Sequence, residues 1–445
     1  MFLGIDSLRA DHCYDHKKSY STPNFDQLIK KGIFFNESIS CADGTALALG
    51  SIFTGFYPFH SGISTYKLKS TKPNFFAHLK KLDYNIYVTI PNSLTLHKMT
   101  LNFCKLGNKF HFRSNFYRLD EGYGNEIIKR LDKDSLQEPW VHFIYLSDLH
   151  QYHLKDIPKQ FDSEKFGKNQ YERSISMIDY WLGKFLEKID LRSTLVVITS
   201  DHGEYVSISS KRDLDYKPEL AKTINVGKKF LPKSFWPTAK KFVKKTRETM
   251  QEKRFNDATK DLTELEKRSL RSRADWYLFD DLLRTPLIFS GNNITENKVV
   301  KNQVGSVDIF PTILDLIGLP QMDEQIDGQS LVPLLKDESS KANPIYLETA
   351  SVVKDELVGK VVGVRTSEYK YFRSRKSPNE KIHLYDLKND PTEENNLARI
   401  NPEIAKEMEL ILSNFLVKLN VNISEEISDE ETRLIEQELK KLGYL

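Results

Sequence analysis

Thr194-Leu195-Val196-Val197-Ile198-Thr199-Ser200-Asp201-His202-Gly203-Glu204 decides the fold class. Six apolar or β-branched residues make a run too short for a helix, and it ends abruptly on polar groups and a glycine. A strand buried on both faces reads this way, without alternation. Other runs repeat the pattern: Phe2–Ile5 ends on Asp6, Val141–Leu146 leads to Asp148 and His150, and Tyr84–Ile90 and Thr285–Ser290 are of similar make. Between them Asn24–Lys31, Asn74–Leu82 and Glu172–Ile189 place apolar residues three and four apart, as in Ile175, Ile178, Trp181, Leu182, Phe185 and Leu186. Alternating strands and amphipathic helices define an α/β domain around a mostly parallel sheet. Ligands of such sheets sit beyond the carboxyl ends of the strands, so Asp6, Asp148, His150, Asp201 and His202 are expected at one edge.

The chain has 445 residues, 39% of them hydrophobic and 11% aromatic, enough for a large core and two or three domain-sized units. Its 65 Lys and Arg against 62 Asp and Glu give a net charge of +3, which argues against nucleic-acid-binding tails. The total conceals a division. Residues 221–260 hold twelve Lys and Arg against three Asp and Glu, a local +9 that leaves −6 for the remainder. Three scattered cysteines, Cys13, Cys41 and Cys104, are too few for a disulfide framework or a thiolate zinc cage and fit a reducing compartment. No apolar run reaches the roughly 18 residues of a membrane span and no leader pattern opens the chain, so a cytoplasmic protein is expected. The abrupt start on a strand leaves a lost N-terminal signal as the alternative.

Beyond Asp327-Gly328 the character changes. Lys336–Asn343 reads as a linker; Ile345–Leu347, Val361–Arg365, Tyr369–Arg373 and Ile382–Leu387 read as short antiparallel strands, followed by a helix from Pro402 to Leu419. An acidic patch, Glu425–Glu431, precedes a final helix ending at Gly443. The expected domains are a catalytic unit over 1–335, interrupted by a basic insert over about 205–270, and a C-terminal α+β subdomain over 336–445.

Asp201-His202-Gly203 offers a carboxylate oxygen and an imidazole nitrogen where glycine lets the chain turn, a plausible metal half-site. Alone, the dipeptide is more simply an N-cap Asp beside a surface His, and a strand-end Asp6 commonly caps the next helix. The combination changes this. Ile5-Asp6-Ser7-Leu8-Arg9-Ala10-Asp11, Thr22-Pro23-Asn24-Phe25-Asp26-Gln27-Leu28, Ser51-Ile52-Phe53-Thr54-Gly55, Asp148-Leu149-His150-Gln151-Tyr152 and Thr199-Ser200-Asp201-His202-Gly203-Glu204 stand in order along the chain. Leu283-Arg284-Thr285-Pro286, Val307-Asp308-Ile309-Phe310-Pro311-Thr312, Asp327-Gly328-Gln329-Ser330-Leu331 and Leu384-Tyr385-Asp386-Leu387 follow. The series resembles the sulfatase family of the alkaline phosphatase superfamily over nearly the whole chain apart from the insert. The resemblance implies an alkaline-phosphatase-like sandwich, with a large mostly parallel central sheet flanked by helices, plus a small C-terminal α+β subdomain with an antiparallel sheet.

It also implies a metal between Asp6 and the pair Asp201 and His202. Many sulfatases carry a second Asp after the first, and here Ser7 stands. One carboxylate fewer makes an all-oxygen calcium site less suitable, and a single divalent ion, Mn²⁺ or Zn²⁺ rather than Ca²⁺ or Mg²⁺, is expected. Two-metal members of the superfamily take a further His from later in the chain; only His383 follows His202. His153 and Asp148 are the alternative second-site ligands.

The nucleophile slot departs from the family pattern. The Cys or Ser that becomes formylglycine lies six residues before the Ser that opens the Ser-Leu-Leu-Thr-Gly motif. Here that position is Thr45, in Gly44-Thr45-Ala46-Leu47-Ala48-Leu49-Gly50-Ser51, without the motif's Pro and Arg; Cys41 lies four residues too early. Threonine cannot become formylglycine. A threonine sulfate lacks the second hydroxyl that expels sulfate, whereas a phosphothreonine is open to attack at phosphorus. The expected function is therefore hydrolysis or transfer of phosphate esters through a covalent Thr45 intermediate, with Thr45 also a metal ligand and His150 as proton donor or anion contact. A sulfatase working without formylglycine and a degenerate anion- or glycan-binding protein are the alternatives. His150 has a plainer reading too, as a strand-end His bonded to Asp148.

The family's Lys and His anion contacts are missing. Asn92, in Ile90-Pro91-Asn92-Ser93, is one substitute and equally a turn residue; Arg271 and Arg273 would clamp a phosphate or belong to a solvated basic loop. In the insert Lys229, Lys233, Lys240, Lys241, Lys244 and Lys245 interleave with Phe230, Leu231, Phe235, Trp236, Phe242 and Val243. This suits either an interfacial helix touching anionic membrane or a charged helical lid. The expected partner is an anionic ester substrate, lipid- or glycan-linked, and not nucleic acid.

Overall fold

The computed structural model describes residues 1–14, 18, 20–104, 111–132, 135–150, 152, 156–207, 250, 252–271, 277–292, 294, 297–336, 342–350, 359–417 and 437. Eight strands form one sheet: β1 (Phe2–Ile5), β2 (Gly32–Ile39), β3 (Asn85–Ile90), β4 (His111–Arg113), β5 (Trp140–Leu146), β6 (Leu195–Thr199), β7 (Arg284–Gly291) and β8 (Lys298–Gly305). Their order is β4-β3-β5-β1-β6-β7-β2-β8. β7 runs antiparallel to β6 and to β2, and the other pairings are parallel. A second, antiparallel sheet comprises β9 (Ile345–Glu348), β10 (Val361–Arg365), β11 (Tyr369–Ser374) and β12 (His383–Asp386), in the order β12-β11-β10-β9. The helix Pro402–Leu416 follows. This is the expected architecture.

The centre of the large sheet is where burial is complete. Every residue of β1 and β6 is buried, as is β5 after Trp140, which explains their unbroken apolar runs. On one face the Phe2 ring meets Phe53 and Phe143 edge-on at 6.3 and 5.4 Å, beneath the helices Thr45–Thr54 and Phe75–Lys81. The helix Gln170–Leu186 starts with Asn169 accepting the Glu172 N–H and buries Ile175, Ile178, Leu182 and Phe185. Its Asp179 receives the Asn24 and Phe25 N–H groups at the start of the helix Pro23–Lys30, binding the two helices together. Burial pushes that carboxyl up to about 6.

Three strands were absent from the sequence expectation. β2 carries a register shift across Asn36 and Glu37, which breaks its pattern. β4 and β8 are the two edges, one of three residues and the other rich in Lys, Asn and Gln. Edges are kept short or charged because their free N–H and C=O groups would otherwise pair with another chain.

The chain divides into two compact units, residues 1–204 with 273–445, and residues 205–272. Both sheets belong to the first. In the second, Thr263 and Glu266 form a reciprocal cap on the helix Glu264–Ser269. The interleaved basic and aromatic residues of the insert, residues 337–341 of the expected linker and the acidic patch lie outside the described residues. Among the described residues no helix is long and apolar enough to cross a membrane.

Candidate active site

β5, β1 and β6 lie side by side and parallel, so their carboxyl ends deliver His150, Asp6, and Asp201 with His202 to one place. The Asp6 N–H still donates to Leu146 O at 2.9 Å, extending the ladder by one residue before the chain leaves the sheet. It leaves through Ser7, a non-glycine residue at φ 64°, a strained conformation that needs outside support. Support is present: Tyr171 donates its hydroxyl to Ser7 O at 2.6 Å, and the Ser7 and Leu8 N–H groups donate to Asp201 Oδ1 and Ser200 Oγ. Ser7 Oγ donates to Asp6 Oδ1 at 2.9 Å, so the residue replacing the family's second Asp acts on the first as a donor.

Asp6, Asp201 and His202 are all buried, and one ligand atom from each lies within 4.8 Å of the others. His202 Nδ1 faces the Gly203 carbonyl at 3.0 Å, which places the proton on Nδ1 and leaves Nε2 as a lone-pair donor. Nε2 lies 3.2 Å from Asp201 Oδ2, 3.9 Å from Asp6 Oδ1 and 3.3 Å from Thr45 Oγ1. Gly203 is required: its N–H donates to Leu282 O, and a Cβ there would stand 2.1 Å from Asp281 O.

Two buried carboxylates and an imidazole lone pair facing one another are costly without a cation between them. The residues therefore fit a divalent ion. Two oxygens, one nitrogen and a neighbouring hydroxyl make a mixed donor set, better suited to Mn²⁺ or Zn²⁺ than to Ca²⁺. Among the described residues no other three His, Cys, Asp or Glu side chains cluster in this way.

Thr45 opens the ten-residue helix Thr45–Thr54 with Gly44 at its N-cap. Its hydroxyl thus stands at the positive end of a helix, where free N–H groups favour an anion. Cys41 is buried, its Sγ 3.2 Å from Ser306 Oγ, and burial pushes its thiol up to about 12, as expected of an inert cysteine.

His150 is buried, its Nδ1 is 3.5 Å from Asp6 Oδ2, and among the described residues neither ring nitrogen makes a hydrogen bond. Such orphaned polar atoms in an interior require an explanation, and an absent ligand supplies one. The plainer reading fails, because Asp148 Oδ1 accepts the Leu119 N–H at 3.1 Å instead of holding His150.

Tyr145 was not anticipated. Its hydroxyl donates to Asp201 Oδ2 at 2.8 Å and also bonds Thr45; burial beside Asp201 and Asp6 holds the phenol far above its ordinary range, so it stays a neutral donor. The signal was Gly4, directly opposite Tyr145 in the β1–β5 pairing: a Cβ there would stand 2.9 Å from the ring.

Of the remaining candidates, two have other partners within the first unit and one belongs to the second. Asn92 is exposed after β3, its N–H on Phe116 O and its amide on Asn115 O. Arg271 belongs to the second unit, paired with Glu252 at 3.1 Å and stacked on Phe255. Arg273 and His153 lie outside the described residues. His383 stacks on Phe372 and bonds the Tyr385 hydroxyl in the small sheet.

A mostly parallel sheet thus gathers carboxylates, imidazoles and a hydroxyl at its carboxyl edge, the place where α/β sheets carry their active sites. Residues 2–319 match the Sulfatase family model, and residues 274–421 match that of the N-sulphoglucosamine sulphohydrolase C-terminal region. The chain belongs to the sulfatase family. Over 140 residues it is 31% identical to arylsulfatase K of Gallus gallus, covering 30% of this chain and 26% of that protein. Over 134 residues it is 32% identical to a delta 4,5-hexuronate-2-O-sulfatase of Bacteroides thetaiotaomicron, covering 29% and 27%. The matched stretch thus spans about a quarter of the length of these curated relatives. Among solved structures, a 2-O GAG sulfatase aligns with a TM-score of 0.62 at 15% identity, covering 97% of this chain and 95% of that one. The phosphonate monoester hydrolase of Agrobacterium radiobacter gives 0.61 at 15%, covering 94% of each. At such identities the likeness concerns the fold.

Proposed function

We propose that the chain is a metal-dependent hydrolase or transferase of phosphate esters that works through a covalent Thr45 intermediate. The observation that carries this reading is the Thr45 hydroxyl at a helix N-terminus, 3.3 Å from His202 Nε2, where a formylglycine precursor would otherwise stand. A divalent ion, Mn²⁺ or Zn²⁺, held by Asp6, Asp201, His202 and the Thr45 hydroxyl would supply Lewis-acid polarisation and lower the pKa of that hydroxyl. Thr45 Oγ1, its proton released to bulk water beforehand, attacks phosphorus as the alkoxide in line with the leaving oxygen; the Thr–O–P bond forms as the leaving P–O bond breaks. His150, whose nitrogens make no hydrogen bond among the described residues, gives its proton to the leaving oxygen. It then takes a proton from the water or acceptor alcohol that attacks the phosphothreonine at phosphorus, releasing Thr45. The N–H groups at the head of the Thr45 helix stabilise the charge on the non-bridging oxygens.

An anionic, glycan-linked ester is the favoured substrate class, since similar folds include one protein solved with its substrate D-glucosamine-2-N,6-O-disulfate and another solved with k-i-k-neocarrahexaose. The basic insert would then serve either an anionic membrane surface or the substrate itself. The names of the relatives favour a second reading, sulfate ester hydrolysis without formylglycine. A panel of chromogenic phosphate monoesters, phosphate diesters and sulfate esters with added Mn²⁺ or Zn²⁺ separates the two. Diester turnover lost in Thr45→Ala is the expected result. Sulfate turnover that survives Thr45→Ala overturns the mechanism, and no bound metal with no turnover on any ester identifies a binding protein.

A further inference from the structure

The free edge of the small sheet is closed by the segment that leads into Thr45. β9 is an edge strand, and its last residue bridges in parallel to Ala42: the Glu348 N–H donates to Cys41 O at 2.9 Å. Two residues further on, the Ala350 N–H donates to Asp43 Oδ1 at 2.6 Å. Gly44 then packs so closely on Ala350 that a Cβ would lie 2.5 Å from the Ala350 methyl. Cys41, Ala42, Asp43 and Gly44 are all buried, and Thr45 is the next residue.

Beneath this strap lies a carboxyl that the mechanism does not use. Glu348 is fully buried; its Oε2 accepts the Tyr346 hydroxyl at 2.8 Å, and its Oε1 makes no hydrogen bond among the described residues. The charged and titratable groups facing it are Tyr346 on its own strand, Asp43 on the strap and Arg375 after β11. Tyr346 is itself wedged edge-on against Tyr57 and Phe59, at 5.9 and 4.8 Å, so the pair has little room to reorient.

We propose that Glu348 is a positioning residue for the Thr45 nucleophile: its N–H joins β9 to the Cys41–Gly44 strap, and its buried carboxyl, bonded to the wedged Tyr346, sets the end of β9 from which that join is made. The inference rests on Thr45 being the nucleophile. Burial pushes the Glu348 carboxyl up to about 8, with the charge of Asp43 adding to the rise while Tyr346 and Arg375 oppose it. The carboxyl is therefore neutral at pH 7 and ionises just above it. Ionisation places a second negative charge beside Asp43 in a dry interior, which loosens the strap and with it the first turn of the nucleophile helix. A misplacement of about 1 Å at a nucleophile costs on the order of 100-fold in rate, so a modest loosening is readable.

The experiment compares wild type, Glu348→Gln and Tyr346→Phe by hydrogen exchange of peptides covering residues 41–46, from pH 6.5 to 9.5 and corrected for intrinsic exchange. The kcat and KM for whichever ester is turned over are measured over the same range. In wild type, exchange of these peptides rises and kcat falls about 10- to 100-fold through one apparent pKa near 8, with KM little changed. Glu348→Gln removes this limb from both readouts. Tyr346→Phe deletes the donor that favours ionised Glu348, so the limb moves to higher pH, a shift that a merely structural role would not produce. Exchange in Glu348→Gln that rises with pH as in wild type overturns the proposal, as does an unmoved limb in Tyr346→Phe. The exchange readout does not depend on turnover: a limb seen in exchange with no ester hydrolysed supports the positioning while refuting the enzymatic reading.

Discussion

Tyr145 donates its hydroxyl to Asp201 Oδ2 at 2.8 Å, with the whole contact buried. The phenol orients one oxygen of a proposed metal ligand, and losing such a partner typically weakens metal binding 10- to 100-fold. Tyr145→Phe is therefore expected to lower Mn²⁺ or Zn²⁺ affinity by about that factor, measured by titration against a chelating indicator. It should also cost about 1 to 2 kcal/mol in stability, because an oxygen is left without its donor. Unchanged metal affinity would show that Tyr145 is packing alone.

Thr45→Ala should reduce phosphate ester turnover by at least about 10³-fold, the scale seen when a nucleophile is deleted from a cooperating set. Thr45→Ser should keep a measurable fraction, since its hydroxyl can occupy the same place. Rapid acid quench of wild type followed by mass spectrometry is expected to find a phosphoryl adduct on Thr45. Full activity in Thr45→Ala would end the covalent mechanism.

His150 offers a test by leaving group. General acid catalysis contributes about 10²- to 10⁴-fold, and only where the departing oxygen needs a proton. His150→Asn is expected to lose that much on alkyl esters and little on nitrophenyl esters, whose leaving groups depart as stable anions. An equal loss on both classes would instead assign His150 to binding the anion.

Stability should fall in mild acid. Burial, joined by the N-terminal ammonium and Arg130, lowers His142 to about 3, and burial with His97 lowers His111 to about 4. Both are neutral in the folded state but have an ordinary pKa of about 6.5 when unfolded. Between about pH 6.5 and 4 the unfolded chain thus binds more protons, so their contribution is complete above the unfolded pKa and is lost as pH falls. The expected loss from His142 is on the order of 3 kcal/mol. Denaturant melts at pH 7, 6, 5 and 4 measure it, and His142→Gln should flatten the curve.

Most of the central sheet, and the gathering of Asp6, Asp201 and His202 at its edge, could be read in the sequence for one physical reason. Strands buried on both faces are unbroken apolar runs; the β1 run stops at Asp6, and the β6 run stops two residues before Asp201. The edge strands β4 and β8 carry no such run, because an edge is better short or charged. Tyr145 was missed because a tyrosine within an apolar strand reads as core, and only the small residue opposite, Gly4, marked the approach. Asn92 and Arg271 were chosen by filling gaps in a family pattern, and the structure engages both with other partners.

The β1 pairings carry a consequence for synthesis of the chain. β1 precedes both of its neighbours in the chain: it pairs with β5 and β6, and Ser7 waits for Asp201, 194 residues later. An emerging chain therefore holds its first strand, Phe-Leu-Gly-Ile, without a partner until most of the catalytic core has left the ribosome. An ion held by Asp6, Asp201 and His202 would enter only after that insertion, and its binding would report that β1 has reached the centre of the sheet as well as competence for chemistry.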